Sequence, residues 1–199
     1  MILITPFNDI AAVVLAGGSG RRLGGINKSL VEIGGVTLIQ RTLVILRPLF
    51  SEILISGWHA DIMLPEWVRS VPDNFPGTGP LAGIEASMKA ASLPYIFVFG
   101  GDMPWLSEKI ITAQALNFLE DPPEVLVPRT DRMTEPLHAI YDCTLHSSLE
   151  KYLRSGGRPA VRDFIALSQV RYFDLPSNEE IMKAFTNINN PEDLPGKEA

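Results

Sequence analysis

One cysteine, Cys143, stands in 199 residues. No intrachain disulfide can form and a cysteine-rich zinc site is excluded, which suits a reducing compartment. Long apolar runs are missing too. None approaches the roughly 20 residues that a bilayer requires. The opening Met1-Ile2-Leu3-Ile4 stops at Pro6 without a basic flank, so no secretory leader is expected. Positive charge is in deficit, with 17 Lys and Arg against 23 Asp and Glu and a net charge of −6. A chain of this sign gains little from a polyphosphate backbone, whereas a phosphorylated small molecule needs only a few local cations. Internal repeats, low-complexity stretches and long linkers are likewise lacking. The expectation is a soluble, cytoplasmic protein of one domain over residues 1–199, with no nucleic-acid or membrane partner.

What is present is an alternation of apolar runs and helical periodicity. Ile10 to Ala16 is almost wholly apolar and ends in glycines, as a strand buried on both faces should. Val36, Ile39, Leu43 and Leu46 follow helical spacing and predict a helix over Val36 to Leu49, with Pro48 marking its end. Glu52 to Gly57 reads as a strand and Val68 to Val71 as a short one. Pro80 opens a helix bearing Leu81, Ile84, Met88 and Ala91 on one face. Tyr95 to Phe99 is the clearest inner strand. Ser107 is placed to cap the next helix, with Leu106 stapled on Ile111. Val125 to Val127 and Leu137 to Tyr141 predict further strands, the second as a candidate for antiparallel pairing. Helices are expected at Thr144 to Arg154 and Pro159 to Leu167, then a strand at Val170 to Asp174. This order implies a three-layer α/β/α sandwich, Rossmann-like, with a mostly parallel sheet. Ligands in such folds bind beyond the C-terminal ends of the strands. Candidate segments on that ground are 17–28, 56–59, 73–83 and 100–104.

The first of these is the richest. Gly17, Gly18, Gly20, Gly24 and Gly25 follow the first strand directly, and Arg21, Arg22 and Lys28 lie among or just beyond them. Glycines let main-chain N–H groups approach an anion, although plain turns are also glycine-rich. Three basic residues in one loop favour phosphate. A dinucleotide fingerprint needs a small residue where Leu23 sits, and a Walker loop needs Gly before Lys-Ser, where Asn27 stands. Neither motif fits. Asp102 follows an apolar strand through Gly100-Gly101, so its carboxylate should project at the sheet edge as a hard metal ligand, or else open the turn before Pro104.

The string Leu15-Ala16-Gly17-Gly18-Ser19-Gly20-Arg21-Arg22-Leu23-Gly24 resembles the nucleotidyltransferase signature, and more narrowly the molybdenum cofactor guanylyltransferase (MobA-type) family. The resemblance extends from Val14 to about Leu194. It includes Gly79-Pro80-Leu81-Ala82-Gly83, Gly101-Asp102-Met103-Pro104, Gly157-Arg158-Pro159 and Asn187-Ile188-Asn189-Asn190-Pro191. It implies a fold of the nucleotide-diphospho-sugar transferase type and transfer of GMP from Mg-GTP to the phosphate of molybdopterin, releasing pyrophosphate. Mg2+ is the implied cofactor. GTP and molybdopterin are the implied partners, with molybdoenzymes or other proteins of the cofactor pathway beside them.

By the same resemblance Lys28 stabilises charge at the α-phosphate, Arg22 neutralises the β- and γ-phosphates, and Asp102 binds the metal. Leu15, Ala16 and Gly17 line the base pocket by main-chain contacts, and Gly18 is a further nucleotide-binding residue. Asp73, otherwise a turn former, contacts guanine, whose N1–H and N2–H suit a carboxylate. Asn187 and Asn189 align near the pterin and metal, and Glu135, His138, Arg158 and Arg162 are candidates to approach the acceptor. His138 lies in an apolar run and reads equally as a core histidine; Arg162 and Asp163 read equally as a surface pair. Three departures stand out: Asn27 for the usual aspartate, Ser56 where an asparagine commonly contacts the nucleotide, and Leu23 for methionine. Gly17-Gly18, in place of Ala-Gly, favours GTP over CTP. The alternatives are a related enzyme using CTP or a sugar-phosphate acceptor, and a catalytically silent GTP-binding protein that delivers the cofactor.

Overall fold

The computed structural model describes residues 7–17, 28–58, 63–156, 159–188 and 193. At its centre is β1 (Ile10–Leu15), in which every residue from Ile10 to Val14 is fully buried. A strand apolar on both sides must be covered on both faces, and this one is. Next along the chain comes a small hairpin, β2 (Glu32–Ile33) and β3 (Val36–Thr37), and then α1 (Leu38–Leu46). The strands β4 (Ile53–Ser56), β5 (Val68–Val71), β6 (Tyr95–Gly100), β7 (Val125–Arg129), β8 (His138–Asp142) and β9 (Val170–Asp174) complete the main sheet. Its order is β5-β4-β1-β6-β8-β7-β9. All of its strands run parallel except β8, which is antiparallel to both neighbours.

Alternate residues of β1 serve different layers. Ile10, Ala12 and Val14 pack with α1, α3 (Glu108–Glu120) and α6 (Glu179–Ala184), through Leu43, Ile111 and Ile181 among others. Ala11 and Val13 pack with α2 (Pro80–Ala90), α4 (His146–Arg154) and α5 (Val161–Ile165), through Ile84, Leu149 and Phe164. The chain therefore forms the α/β/α sandwich with a mostly parallel sheet. The helix starts follow local chemistry. Gly79 at φ +70° leads into Pro80 at the first turn of α2. Ser107 Oγ accepts from the Ile110 N–H at the start of α3, and Leu106 and Ile111 share the same buried cluster.

The structure differs from expectation in short elements. The helix expected from Val36 begins at Leu38 and ends at Leu46. Gly34 and Gly35, at φ +62° and +76°, form a two-residue hairpin turn that draws Val36 into β3. Thr37 then caps α1 in a reciprocal box with Gln40. Cys143–Leu145 is a 3-10 turn ahead of α4, and the helix expected over Pro159 to Leu167 is confined to Val161–Ile165. The helix α6, capped by Asn178, was not anticipated.

Candidate functional site

Sheet register brings the candidate residues into one row. Leu15 is level with Ser56 on one side and with Gly100 on the other, and Ser56 is level with Val71. The segments leaving β1, β4, β5 and β6 therefore emerge together at one edge. Backbone hydrogen bonds tie them: Ala16 N–H to the Ser56 carbonyl at 2.9 Å, and Gly101 N–H to the Leu15 carbonyl at 3.0 Å. Two glycines make this closeness possible. At Gly57, φ is +71° and a Cβ would lie 2.5 Å from Gly17 Cα. At Gly83 on α2, a Cβ would lie 2.5 Å from Ser56 Oγ.

Two polar pairs occupy the row. Lys28, opening the 3-10 turn Lys28–Leu30, reaches back over β1 to Asp102, with Nζ 3.3 Å from Oδ2. Each side chain is about a quarter exposed, as a pair open to an incoming ligand should be. Buried Ser56 donates from Oγ to Asp73 Oδ1 at 2.7 Å. The serine that departs from the family pattern thus orients the aspartate. Leu15, Ala16 and Gly17 run between the two pairs. Gly18, Gly20, Arg21, Arg22, Leu23, Gly24 and Asn27, together with His59, Arg158 and Asn189, lie outside the described residues.

A second group adjoins Asp102. The Ile188 N–H donates to the Asp102 carbonyl at 2.9 Å, which sets Asn187 beside the aspartate. Asn187 hydrogen-bonds Glu135, and its own Oδ1 is buried with no partner among the described residues. Burial pushes the Glu135 carboxyl above the usual carboxylate range. The Leu137 N–H opposes that shift, nearby Asp102 adds to it, and Arg162 and Asn187 offset it. Among the described residues no three of His, Cys, Asp and Glu gather into a metal-binding group. Asp102 and the unpaired Asn187 oxygen are hard donors, and they suit a cation that takes its other ligands from phosphate and water.

His138 belongs to the core. Its ring is fully buried among Phe97, Phe99 and Phe185, with Nδ1 3.2 Å from Gln114 Oε1. Burial pushes its pKa down to about 4, so the imidazole is neutral. An apolar groove between α1 and α6, lined by Val44, Trp105 and Leu106, has Pro104 of the segment after β6 in its wall. One residue that sequence reasoning passed over is Glu85, a carboxylate only 1% exposed on α2 behind Asp73. Its only sequence signal is a charge amid the otherwise apolar and small run from Leu81 to Met88.

No helix among the described residues is long and apolar enough to cross a membrane. The family model for the MobA-like NTP transferase domain matches residues 12–171. A relative from Pelotomaculum thermopropionicum, named "Probable molybdenum cofactor guanylyltransferase", is 35% identical over 185 residues, covering 92% of this chain and 88% of the relative. Among solved structures, molybdopterin-guanine dinucleotide biosynthesis protein A from Archaeoglobus fulgidus superposes with a TM-score of 0.74 at 24% identity, covering 92% of this chain and 94% of that one. The 4-diphosphocytidyl-2C-methyl-D-erythritol synthase of Anaerococcus prevotii shares the fold at a TM-score of 0.69 and 17% identity, with 92% of each chain covered. With the family match spanning most of the chain and the curated relative aligned over nearly all of it, this protein belongs to the MobA-like NTP transferase domain family and is a nucleotidyltransferase.

Proposed function

We propose that this nucleotidyltransferase transfers GMP from Mg-GTP to the phosphate of molybdopterin. The observation that carries the reading is the Lys28–Asp102 pair at the shared end of β1 and β6, one cation and one carboxylate side by side above the base-side pair Ser56–Asp73. The name of the Pelotomaculum relative supports the choice of nucleotide and acceptor. An acceptor phosphate oxygen forms a bond to the α-phosphorus. The bond from that phosphorus to the α–β bridging oxygen breaks, and pyrophosphate leaves with the electron pair. No protein nucleophile is needed.

The difficulty is bringing anions together while charge builds on the leaving group. Lys28 opposes that charge at the α-phosphate, and Arg22 does so further along the triphosphate. Asp102, with Asn187 as a second oxygen donor, would hold Mg2+, which when bound supplies Lewis-acid charge neutralisation. Asp73 supports guanine over cytosine on hydrogen-bonding grounds. Guanine offers two adjacent donors to a carboxylate, whereas cytosine sets an acceptor beside its amino group. The hydroxyl of Ser56 fixes the direction of that carboxylate.

Pyrophosphate release with molybdopterin and GTP, CTP or ATP, and with sugar phosphates in place of molybdopterin, tests the reading. Release only with GTP and molybdopterin is expected. Release only with CTP would overturn the base assignment, and binding of GTP without release from any acceptor would support a delivery protein. Lys28→Ala and Asp102→Asn should each lower turnover about 100-fold or more with little change in melting temperature.

A further inference from the structure

Among the described residues, Glu85 is the most deeply buried carboxylate that the transfer chemistry does not use. Both of its oxygens are engaged, and in different directions. Oε1 lies 2.7 Å from His146 Nε2, in the first turn of α4. Oε2 accepts from the Asn74 side-chain amide at 3.0 Å. Asn74 is the neighbour of Asp73, so the carboxylate links a helix of the outer layer to the loop that carries the base-side aspartate. A buried carboxylate left unpaired is costly, and removing one partner exposes the other to that cost. The link therefore resists being pulled apart from either end.

The same loop is held by other ties as well. Ser56 donates to Asp73, and Thr78 Oγ1 donates to the Phe75 carbonyl at 2.8 Å, closing the turn before Gly79. The Arg154 guanidinium, from the last turn of α4, lies 5.3 Å from the centre of the Phe75 ring, and Glu150 holds that guanidinium by a bond of 2.7 Å. Both ends of α4 thus grip residues 74 and 75. Of these ties the one through Glu85 joins the loop, one residue from Asp73, to a side chain only 1% exposed on α2.

We infer that Glu85, braced by His146, is a positioning residue for the nucleotide: through Asn74 it fixes the loop that presents Asp73. This rests on the reading of Asp73 as the base contact. A loop held in place before binding spares the nucleotide the cost of ordering it, so the device acts on nucleotide affinity and base choice rather than on the chemical step.

Steady-state kinetics on the full chain test it, with GTP, CTP and acceptor varied separately. Asn74→Ala removes only the loop-side bond at an exposed position. It should raise KM for GTP by about five- to ten-fold, leaving kcat and the acceptor KM within about two-fold. His146→Leu should act in the same direction. His146→Gln, which returns an amide donor near the Nε2 position, should recover most of the loss. The double change Glu85→Met with His146→Leu replaces the pair by apolar groups, and should keep its melting temperature while KM for GTP stays raised. Unchanged KM for the nucleotide in Asn74→Ala and His146→Leu would overturn the inference, as would parallel losses in all three parameters. A wild type that prefers CTP would instead overturn the guanine reading, and the clamp would then be judged on KM for CTP.

Discussion

The two halves of the sheet are built on different plans. From β5 to β6 the strands are parallel, and the edge where they end is made of backbone and short side chains: Gly17, Gly57, Gly101, Ser56, Asp73. From β8 to β9 one strand is reversed, and that half contributes larger polar groups, namely Gln114 and His138 in the core and Glu135 at the rim, with Arg162 and Asn187 around it. The first half leaves main chain close to main chain, and a Cβ at Gly57 or Gly101 would collide with it. The second leaves its chemistry to side chains that another sequence could exchange. In the proposed transfer the triphosphate would meet the first half and the acceptor the second, with Asn187 between them.

Gly57→Ala should break the comparison most severely. The new Cβ would sit 2.5 Å from Gly17 Cα at a φ of +71°, so backbone must move. A loss of about 3 kcal/mol or more is expected in chemical denaturation, together with loss of GTP binding. A variant with wild-type stability would show that the main chain in this row has room for a side chain.

His138 sets a smaller effect in the other half. The unfolded chain takes up a proton near pH 6.5, which the folded chain refuses until about pH 4. Stability is therefore full above that window and falls as pH drops through it, by about 3 kcal/mol in total. His138→Asn keeps a donor for Gln114. It should start lower at pH 7 and lose less between pH 6.5 and 4 than the wild type does. Parallel denaturation profiles for the two proteins would mean that the ring is protonated in the fold.

The smallest effect is expected at the exposed rim. Arg162→Ala should raise KM for a phosphorylated acceptor by about three- to five-fold and leave KM for GTP unchanged. The reverse pattern would place Arg162 with the nucleotide and blur the division.

Sequence patterns carried most of this architecture because long elements repeat their signal. β1, α2, β6 and α3 were legible from apolar runs, proline placement and caps. The hairpin β2–β3 was not, because two-residue strands have no period and Val36 happens to extend the helical spacing of α1. Its one available signal was the pair Gly34-Gly35. The six-residue α6 was hidden for the same reason of length. Topology placed Asp73 and Asp102 in segments that follow strands, while the roles expected of them came from the family resemblance. Ser56 was legible as a strand-end residue and a departure from the family pattern, but its bond to Asp73 was not, because it spans two strands. Glu85 was invisible as a partner of Asn74, since the contact exists only once α2 packs behind β5.

The reversal of β8 has a practical consequence. Because it runs against β6, the segment entering it meets the segment leaving β6: the Gly100 N–H donates to the Leu137 carbonyl at 2.8 Å. Residues 130–137 therefore reach the active edge by a direct hairpin link from β7, without a crossover helix. Such a link can be varied at its exposed residues Asp131 and Arg132 while Met133 and Leu137 stay packed on the two layers. It is the natural graft point for giving this scaffold a new acceptor.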